Sequence, residues 1–413
     1  MLFRIAWRSL RRNRRRTLLV VAAIAFAGSL TITKMSVDYG TLSEGISEAA
    51  RLSTGFIQIQ KPGYIDNPSL EKNFSLSPAI THAIDRIPGV SGSSPRVQAD
   101  GLLSHKEHSI GAMVMGVSPK TEGEITDFAL KVSTGRFLSA DSSAHDSMPE
   151  IVVGYRLLKN LKASVGDSVV LLCQGYDGVL SNMFVRIIGA FMTGSDEFDR
   201  MGAFMNIKEL QSFLSMDGRV NAVAISVRNI EDVPEVTRQL ESSLKPLGLV
   251  AVPWQTLMPQ MKQTLEFKQS GDLVFMGILL LVVGFGILNA VLMSITERFR
   301  EYGVVLALGM RPGKLAATVA IESLLMLIIG LVLGDLAGFG ASYYFHVHPI
   351  VVGGNLADLY RQYGFNVPII TSSMTSGIFV LASICILSIS FISTLYPLWR
   401  VLRLEPLKGI RYT

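Results

Sequence analysis

Residues 273–313 read LVFMGILLLVVGFGILNAVLMSITERFREYGVVLALGMRPG. From Leu273 to Ile295 no residue is charged, and a helix crossing a bilayer needs about 20 mostly apolar residues. Charge begins abruptly at Glu297, Arg298, Arg300 and Glu301. The chain there leaves the bilayer and turns into a short amphipathic helix bearing both charge signs. Gly309 and Pro312-Gly313 close that helix before the next apolar run begins. A short helix between two spans suits docking into a groove of a soluble partner. It suits equally a surface helix lying on lipid.

The rest of the chain fits a membrane protein. Its 413 residues are 49% hydrophobic and 17% charged, with mean hydropathy +0.39. An average soluble domain is about 25% charged. These figures exclude a disordered chain, a collagen-like repeat and a disulfide scaffold, and argue against a single soluble enzyme domain. The two cysteines, Cys173 in a polar region and Cys385 in an apolar run, are not expected to pair.

The expected architecture is an α-helical membrane protein with four transmembrane helices and a large mixed α/β extracytoplasmic domain between helices 1 and 2. An amphipathic helix at 1–16 precedes spans at 17–38, 270–296, 314–345 and 373–399. The external domain occupies 39–269, with 111–199 as an inserted lobe. A short helix fills 297–313, an outer loop 346–372 and a tail 400–413. Span 1 is read as a retained helix rather than a cleaved leader: its apolar run exceeds a usual h-region, and no small-x-small site follows it.

Charge sets the orientation. The segments 1–16, 296–314 and 400–413 hold fifteen basic residues against three acidic ones, whereas 39–269 holds 21 against 25. Positive loops stay in the cytoplasm. Both termini and the 297–313 helix are therefore expected inside and the 39–269 domain outside. The overall charge of +5 reflects this asymmetry and contact with anionic lipid, not nucleic-acid binding.

In the external domain, 56–60 alternates as a strand should; further strands are read at 110–117, 150–154, 169–174, 183–191 and 222–227, and helices at 77–86, 155–161 and 233–244. Asp177-Gly178 is a tight-turn dipeptide between two of the strands. No catalytic constellation or metal site is expected. His105 and His108 are read as part of a solvated polar turn, and His346 and His348 as interfacial residues. No G-x-x-x-x-G-K-[ST] phosphate loop occurs, so ATP hydrolysis by that route is not expected of this chain.

Asn289, Glu297, Arg298, Arg300, Glu301, Gly303, Ala307, Gly309 and the downstream Glu322 fall on a pattern of the form N…S-x-x-E-R-x-x-E-x-G…A-x-G…E. It resembles the coupling segment of the FtsX/MacB/LolC-LolE superfamily of ABC transporter permeases. Tyr396 to Tyr412 resembles that family's closing P-x-W-x-A-x-x-x-x-P motif, with Val401 in place of alanine. The one-plus-three arrangement of spans around a large external domain is also similar, and its size and layout are closest to the lipoprotein-releasing permeases LolC and LolE. The external domain would then be a MacB-like periplasmic core.

The resemblance implies a non-catalytic permease subunit in the inner membrane of a diderm bacterium. It would pair with a second permease subunit, identical or different, and with a LolD- or MacB-like ATPase dimer. ATP and Mg would be bound by that ATPase, and this chain would carry no cofactor. Closing of the ATPases would move the coupling helix (Glu297, Arg298, Arg300, Glu301, Gly303, Ala307, Gly309), and stiff spans would pass the motion outward. A lipoprotein substrate and a periplasmic carrier are implied partners. Gly330, Gly334 and Gly338 recur every four residues and, with Glu322 and Asn289, are expected at helix–helix packing. Lys34 either snorkels to the interface or touches substrate. The hairpin 169–191 is shorter than the carrier-recruiting arm of LolC, which leaves a LolE-like role or a related system with another cargo as alternatives.

Overall fold

The computed structural model describes residues 2–12, 14–52, 54–139, 148–355, 358–359 and 369–403. The stretch Glu405 to Tyr412 of the closing motif, and Arg361 of the outer loop, lie outside them. By internal contacts the chain divides into two units: residues 1–42, 264–351 and 369–413, and residues 43–263 with 352–368.

The first unit is helical. α1 (Leu2–Arg12) ends in Arg11 and Arg12, which suits the negative end of a helix. α2 (Arg14–Leu52) is one unbroken helix of 39 residues, about 58 Å at 1.5 Å per residue. That is nearly twice the roughly 30 Å hydrocarbon thickness of a bilayer. Among the four helices long and apolar enough to cross a membrane, α2 is the first. The others are those running from Pro259 to Glu297, from Pro312 to Val347 and from Ser376 to Leu402. A strand pair of two residues each, Ile350–Val351 with Ile369–Ile370, joins the last two.

The second unit is built on one ten-stranded sheet. Its strands are β1 (Ile57–Gln60), β3 (Val90–His105), β4 (His108–Val117), β5 (Val132–Gly135), β6 (Glu150–Gly154), β7 (Ser168–Gln174), β8 (Leu180–Phe191), β9 (Gly202–Asn206), β11 (Ala222–Val227) and β12 (Val250–Pro253). A separate ribbon pairs β2 (Phe74–Ser75) with β10 (Arg219–Val220). The sheet order is β12-β1-β11-β3-β4-β9-β6-β8-β5, and β7 bonds both β3 and β8. Pairs β4/β9 and β6/β8 are parallel; the remaining pairs are antiparallel. Strands β5 to β8, from the segment expected as an inserted lobe, join this same sheet.

β3 organises the unit. Its sixteen residues pair with β11 at the start, with β4 from Arg96 onward and with β7 near the end. Gly101 is required there: a Cβ would sit 2.7 Å from the Leu172 carbonyl oxygen. The helices α3 (Pro78–Asp85), α4 (Pro119–Ile125), α5 (Tyr155–Asn160), α6 (Asp196–Met201), α7 (Ile207–Phe213), α8 (Val233–Leu244) and α9 (Trp254–Leu257) cover the strands. α8 is amphipathic, with Val233, Val236, Leu240 and Leu244 buried. A second core is aromatic: Phe128, Phe191 and Phe198 surround Phe204 with ring centroids 4.3, 5.3 and 5.7 Å away. Offset and tilted rings of this kind add to the burial energy.

Candidate functional site

α10 (Pro259–Glu297) breaks at Arg298, whose backbone (φ −108°, ψ 8°) is not helical, and α11 (Phe299–Ala307) follows. Gly309 then adopts φ +95°, which favours glycine. α12 (Pro312–Val347) starts on proline, where the missing N–H costs nothing. The chain thus places a helix of two and a half turns between two spans.

Helical spacing splits α11 into two faces. Phe299, Tyr302 and Leu306 are buried among Leu10 of α1, Ile295 of α10, and Leu315 and Val319 of α12. Gly303 is buried beside them. The other face exposes Arg300, Glu301, Val304, Ala307 and, just past its end, Leu308 at 83% and Gly309. Glu297 is also exposed, at the end of α10. This face is apolar in the middle and charged at its N-terminal end.

A chain of charges holds α11 down. Arg298 Nη1 donates to a Glu322 carboxylate oxygen on α12 at 2.8 Å, with the Glu322 side chain 6% exposed. Arg298 Nε reaches Glu301 at 3.3 Å, and Arg12 Nη2 of α1 reaches both oxygens of Glu301 at 2.8 and 2.9 Å. The Arg298 guanidinium also lies 5.0 Å from the Tyr302 ring, and Arg400 lies 5.6 Å from the Phe299 ring. The outer pair, Arg12–Glu301, is solvent-exposed and contributes about 0–1 kcal/mol. The inner pair differs: deleting one partner of a buried pair costs about 3–5 kcal/mol, because the other charge is left in apolar surroundings. Glu322 therefore latches the break between α10 and α11 onto α12.

Deeper along α12 the glycines at every fourth position form a seam against α2. A Cβ at Gly330 would lie 2.8 Å from Ile24 Cβ, and one at Gly338 would lie 2.9 Å from Ile32 Cβ. At Gly334 it would lie 2.9 Å from the Ala25 carbonyl oxygen, with Gly28 Cα at 3.3 Å. Gly28 is thus the matching small residue on α2. Asp335, next to the seam, accepts from Ser383 Oγ at 3.1 and 3.2 Å, tying α12 to the last helix, α13 (Ser376–Leu402).

Lys34 of α2 pairs with Asp38 one turn on and with Asp272 of α10 at 3.2 Å, and sits 4.9 Å from the Phe275 ring. Nearby, Ser373 N–H donates to the Ser36 carbonyl at 2.9 Å, and a Cβ on Gly40 would lie 2.6 Å from the Ser373 nitrogen. His346 Nδ1 lies 2.9 Å from the Ser372 carbonyl oxygen.

Two placements differ from the sequence reading. Asn289 does not enter the packing between helices of this chain: its side chain is exposed. α10 turns Ile287, Val291 and Ile295 inward, and a residue two positions from Ile287 is rotated by about 200°. His105 is buried rather than solvated, with Nδ1 3.3 Å from the Leu161 carbonyl oxygen and Nε2 3.8 Å from Asp167. No group of three metal-ligating side chains occurs among the described residues. The sequence reading did not include Arg12, Val304 and Leu308 in the α11 site, or Asp38, Asp272 and Gly28 elsewhere. Asp38 was legible as the i+4 partner of Lys34; no local pattern marks the others.

The model of the MacB-like periplasmic core domain matches residues 17–243, more than half the chain, and that of the FtsX-like permease C-terminal region matches 273–406. The chain belongs to the FtsX/MacB/LolC family of ABC transporter permeases. It is a multi-pass membrane protein, and members of its family work with a partner ABC ATPase. The lipoprotein-releasing system transmembrane protein LolC of Xylella fastidiosa is 25% identical over 342 residues, covering 79% of this chain and 78% of that protein. The macrolide export ATP-binding/permease protein MacB of Acinetobacter baylyi is 26% identical over 392 residues, 91% of this chain but 56% of that protein. The periplasmic region of MacB from Actinobacillus actinomycetemcomitans aligns with 54% of this chain and 98% of that structure, at 15% identity and a TM-score of 0.37.

Proposed function

We propose that this chain is a non-catalytic permease subunit that converts ATP hydrolysis in a separate ATPase dimer into movement outside the membrane, and that the movement extracts lipoproteins from the inner membrane toward the outer membrane. The observation that carries the coupling half is α11. It is latched to the span bundle by Arg298–Glu322 and presents Arg300, Val304, Ala307 and Leu308 outward. A partner gripping that face moves α12 directly, through a buried ion pair that resists slippage. The charge asymmetry along the chain supports a cytoplasmic α11 and cytoplasmic termini.

Lipoprotein extraction is supported by the LolC relative, matched over most of its length. Export of periplasmic molecules is the second reading, supported by the match to the MacB-like core and by a relative named for macrolide export. A scaffold that activates a cell-wall hydrolase is the third. A second permease subunit belongs to all three, and a periplasmic carrier to the first. The contacts of Lys34 with Asp38 and Asp272 support a role in joining α2 to α10 and use two of its three N–H donors. Normal transport by Lys34→Met would remove the substrate role.

The experiment is to purify the chain with its native ATPase and identify co-purifying molecules by mass spectrometry able to detect acylated proteins. Enrichment of triacylated lipoproteins, released on adding ATP and a periplasmic acceptor, is expected. Their absence, with an outer-membrane duct adaptor or a hydrolase in their place, overturns extraction. For the coupling site, Leu308→Asp is expected to uncouple ATP hydrolysis from release without unfolding the chain. Full coupling in that variant would refute the assignment of the exposed face.

A further inference from the structure

α1 is held at the edge of the bilayer. It ends at Arg12, α2 begins at Arg14, and α2 carries no charge from Thr17 to Thr33. Thr17 Oγ1 donates to the Leu10 carbonyl at 3.1 Å. In one straight helix those residues would stand about 10 Å apart along the axis. α1 therefore bends off α2 at the level where charged chain gives way to apolar chain.

The sequence of α1, LFRIAWRSLRR, contains no acid. Helical spacing sorts its side chains into strips. Ala6 and Leu10 are buried, and Leu10 shares a core with Phe299 and Tyr302 of α11 and Leu315 of α12. Phe3 and Trp7, four apart, form a second strip and stay 57% and 44% exposed. Arg4, Arg8 and Arg11 form a third strip beside it, also exposed. These three have no acidic partner among the described residues. Arg12, at the far edge of that strip, is the one that holds Glu301 of α11.

Two exposed aromatics beside three unpaired guanidinium groups suit a helix lying in the lipid interface, rings toward the acyl chains and arginines among the headgroups. The arginines select the lipid. A guanidinium pairs well with a phosphate, and in a zwitterionic lipid that phosphate already has a cation attached to it, whereas in an anionic lipid it has none. A soluble protein docking on this strip would have to reach the hydrocarbon edge to cover Phe3 and Trp7.

We propose that α1 is a docking surface for anionic phospholipid in the leaflet it touches, and that lipid bound there steadies α11 through Arg12–Glu301. The headgroup phosphates lie against Arg4, Arg8 and Arg11, and Phe3 and Trp7 wedge below them. Anionic lipid thereby sets how firmly α11 is held. The lipid contact stands without the transport reading; only its consequence for coupling rests on the role given to α11.

The test uses the full chain in nanodiscs, without ATPase or cargo, so that failure of the transport reading leaves it intact. Hydrogen exchange followed by mass spectrometry compares discs of phosphatidylcholine with discs in which one lipid in four is phosphatidylglycerol. Each arginine at an anionic surface is worth about fivefold in binding, so exchange over 2–12 should slow on the order of 10- to 100-fold in the anionic discs. Exchange over 299–307 should slow with it. Arg4→Gln, Arg8→Gln and Arg11→Gln together should abolish both effects, and about 0.5 M salt should weaken them by screening. Trp7→Ser should reduce the slowing on the order of tenfold. Arg12→Gln should keep most of the slowing over 2–12 and lose it over 299–307. All these changes lie on an exposed surface and leave the core in place. Equal exchange in the two discs, slowing that survives the triple variant, or slowing that appears only when the native ATPase is added overturns the lipid surface. Slowing confined to 2–12 in the unaltered chain overturns the link to α11.

Discussion

Consider Gly334→Ala. The added methyl has no free rotor and nowhere to turn. Its Cβ would lie 2.9 Å from the Ala25 carbonyl oxygen, 3.2 Å from Ala25 Cα and 3.3 Å from Gly28 Cα. All three are backbone atoms of α2, so no side-chain rotation relieves the contact, and the two helices must separate. Overpacking of this kind costs about 1–3 kcal/mol, set against a helix-propensity gain of up to about 1 kcal/mol for replacing glycine with alanine. Gly340, on the same helix, isolates the second effect: a Cβ there meets nothing within 4 Å. Gly340→Ala is therefore expected to be neutral or stabilising by up to about 1 kcal/mol, and Gly334→Ala destabilising by about 0–2 kcal/mol net. Reversible unfolding of the purified protein in mixed micelles, titrated with denaturing detergent, measures both. A Gly334→Ala midpoint equal to or above that of Gly340→Ala would refute the close backbone approach between α2 and α12.

Three further outcomes follow from the ion pair, an acid and a thiol. Arg298→Ala should destabilise by about 3–5 kcal/mol because it strands buried Glu322, while Arg298→Met combined with Glu322→Met should recover most of the loss in the same unfolding assay; a double variant as weak as the single one would contradict the latch. Burial, and then the neighbouring Glu150 charge, raise the Glu209 carboxyl above its ordinary 4.5. The folded chain therefore holds that proton more tightly than the unfolded chain, so its stabilising contribution is present below pH 4.5 and is lost as pH rises through the raised value. Glu209→Gln should flatten thermal stability over that window, and an unchanged slope would exclude Glu209 as its source. Burial, and then Asp100, push the Cys173 thiol up to about 12; in a Cys385→Ser background it should resist maleimide at pH 8 until the protein is denatured, and rapid labelling of the native protein would disprove its burial.

Much of this architecture is legible in sequence because the bilayer is a demanding solvent. Apolar runs and charge clusters located the spans, and Pro312 and Gly309 marked the limits of α11. The apolar run of β4 and the hairpin around Asp177-Gly178 were equally plain. β3 was not, because Gly92, Pro95 and Gly101 interrupt its pattern. Such residues normally signal turns, and only the presence of β4, β7 and β11 on either side makes the strand pay. The α11 site was legible as a motif but not as a network. Arg12 and Glu301 are 289 positions apart, and nothing local links them. The same holds for Asn289, whose motif position suggested packing while the register of α10 turns it outward.

The meeting of Gly28 with Gly334 has a consequence for how the protein is made. These residues are about 300 positions apart in the chain. At a synthesis rate of roughly 5–20 residues per second, the first helix waits on the order of 15–60 s before its partner exists. For that interval Gly28 has no Gly334 to pack against, and for most of it Lys34 has Asp38 but not Asp272. The nascent chain must keep its first helix soluble in the bilayer without its final neighbours, so membrane quality control has a long window in which to judge it. Variants that lengthen the wait, or spoil the seam that ends it, should lower the amount of protein in the cell before they alter what each assembled molecule does.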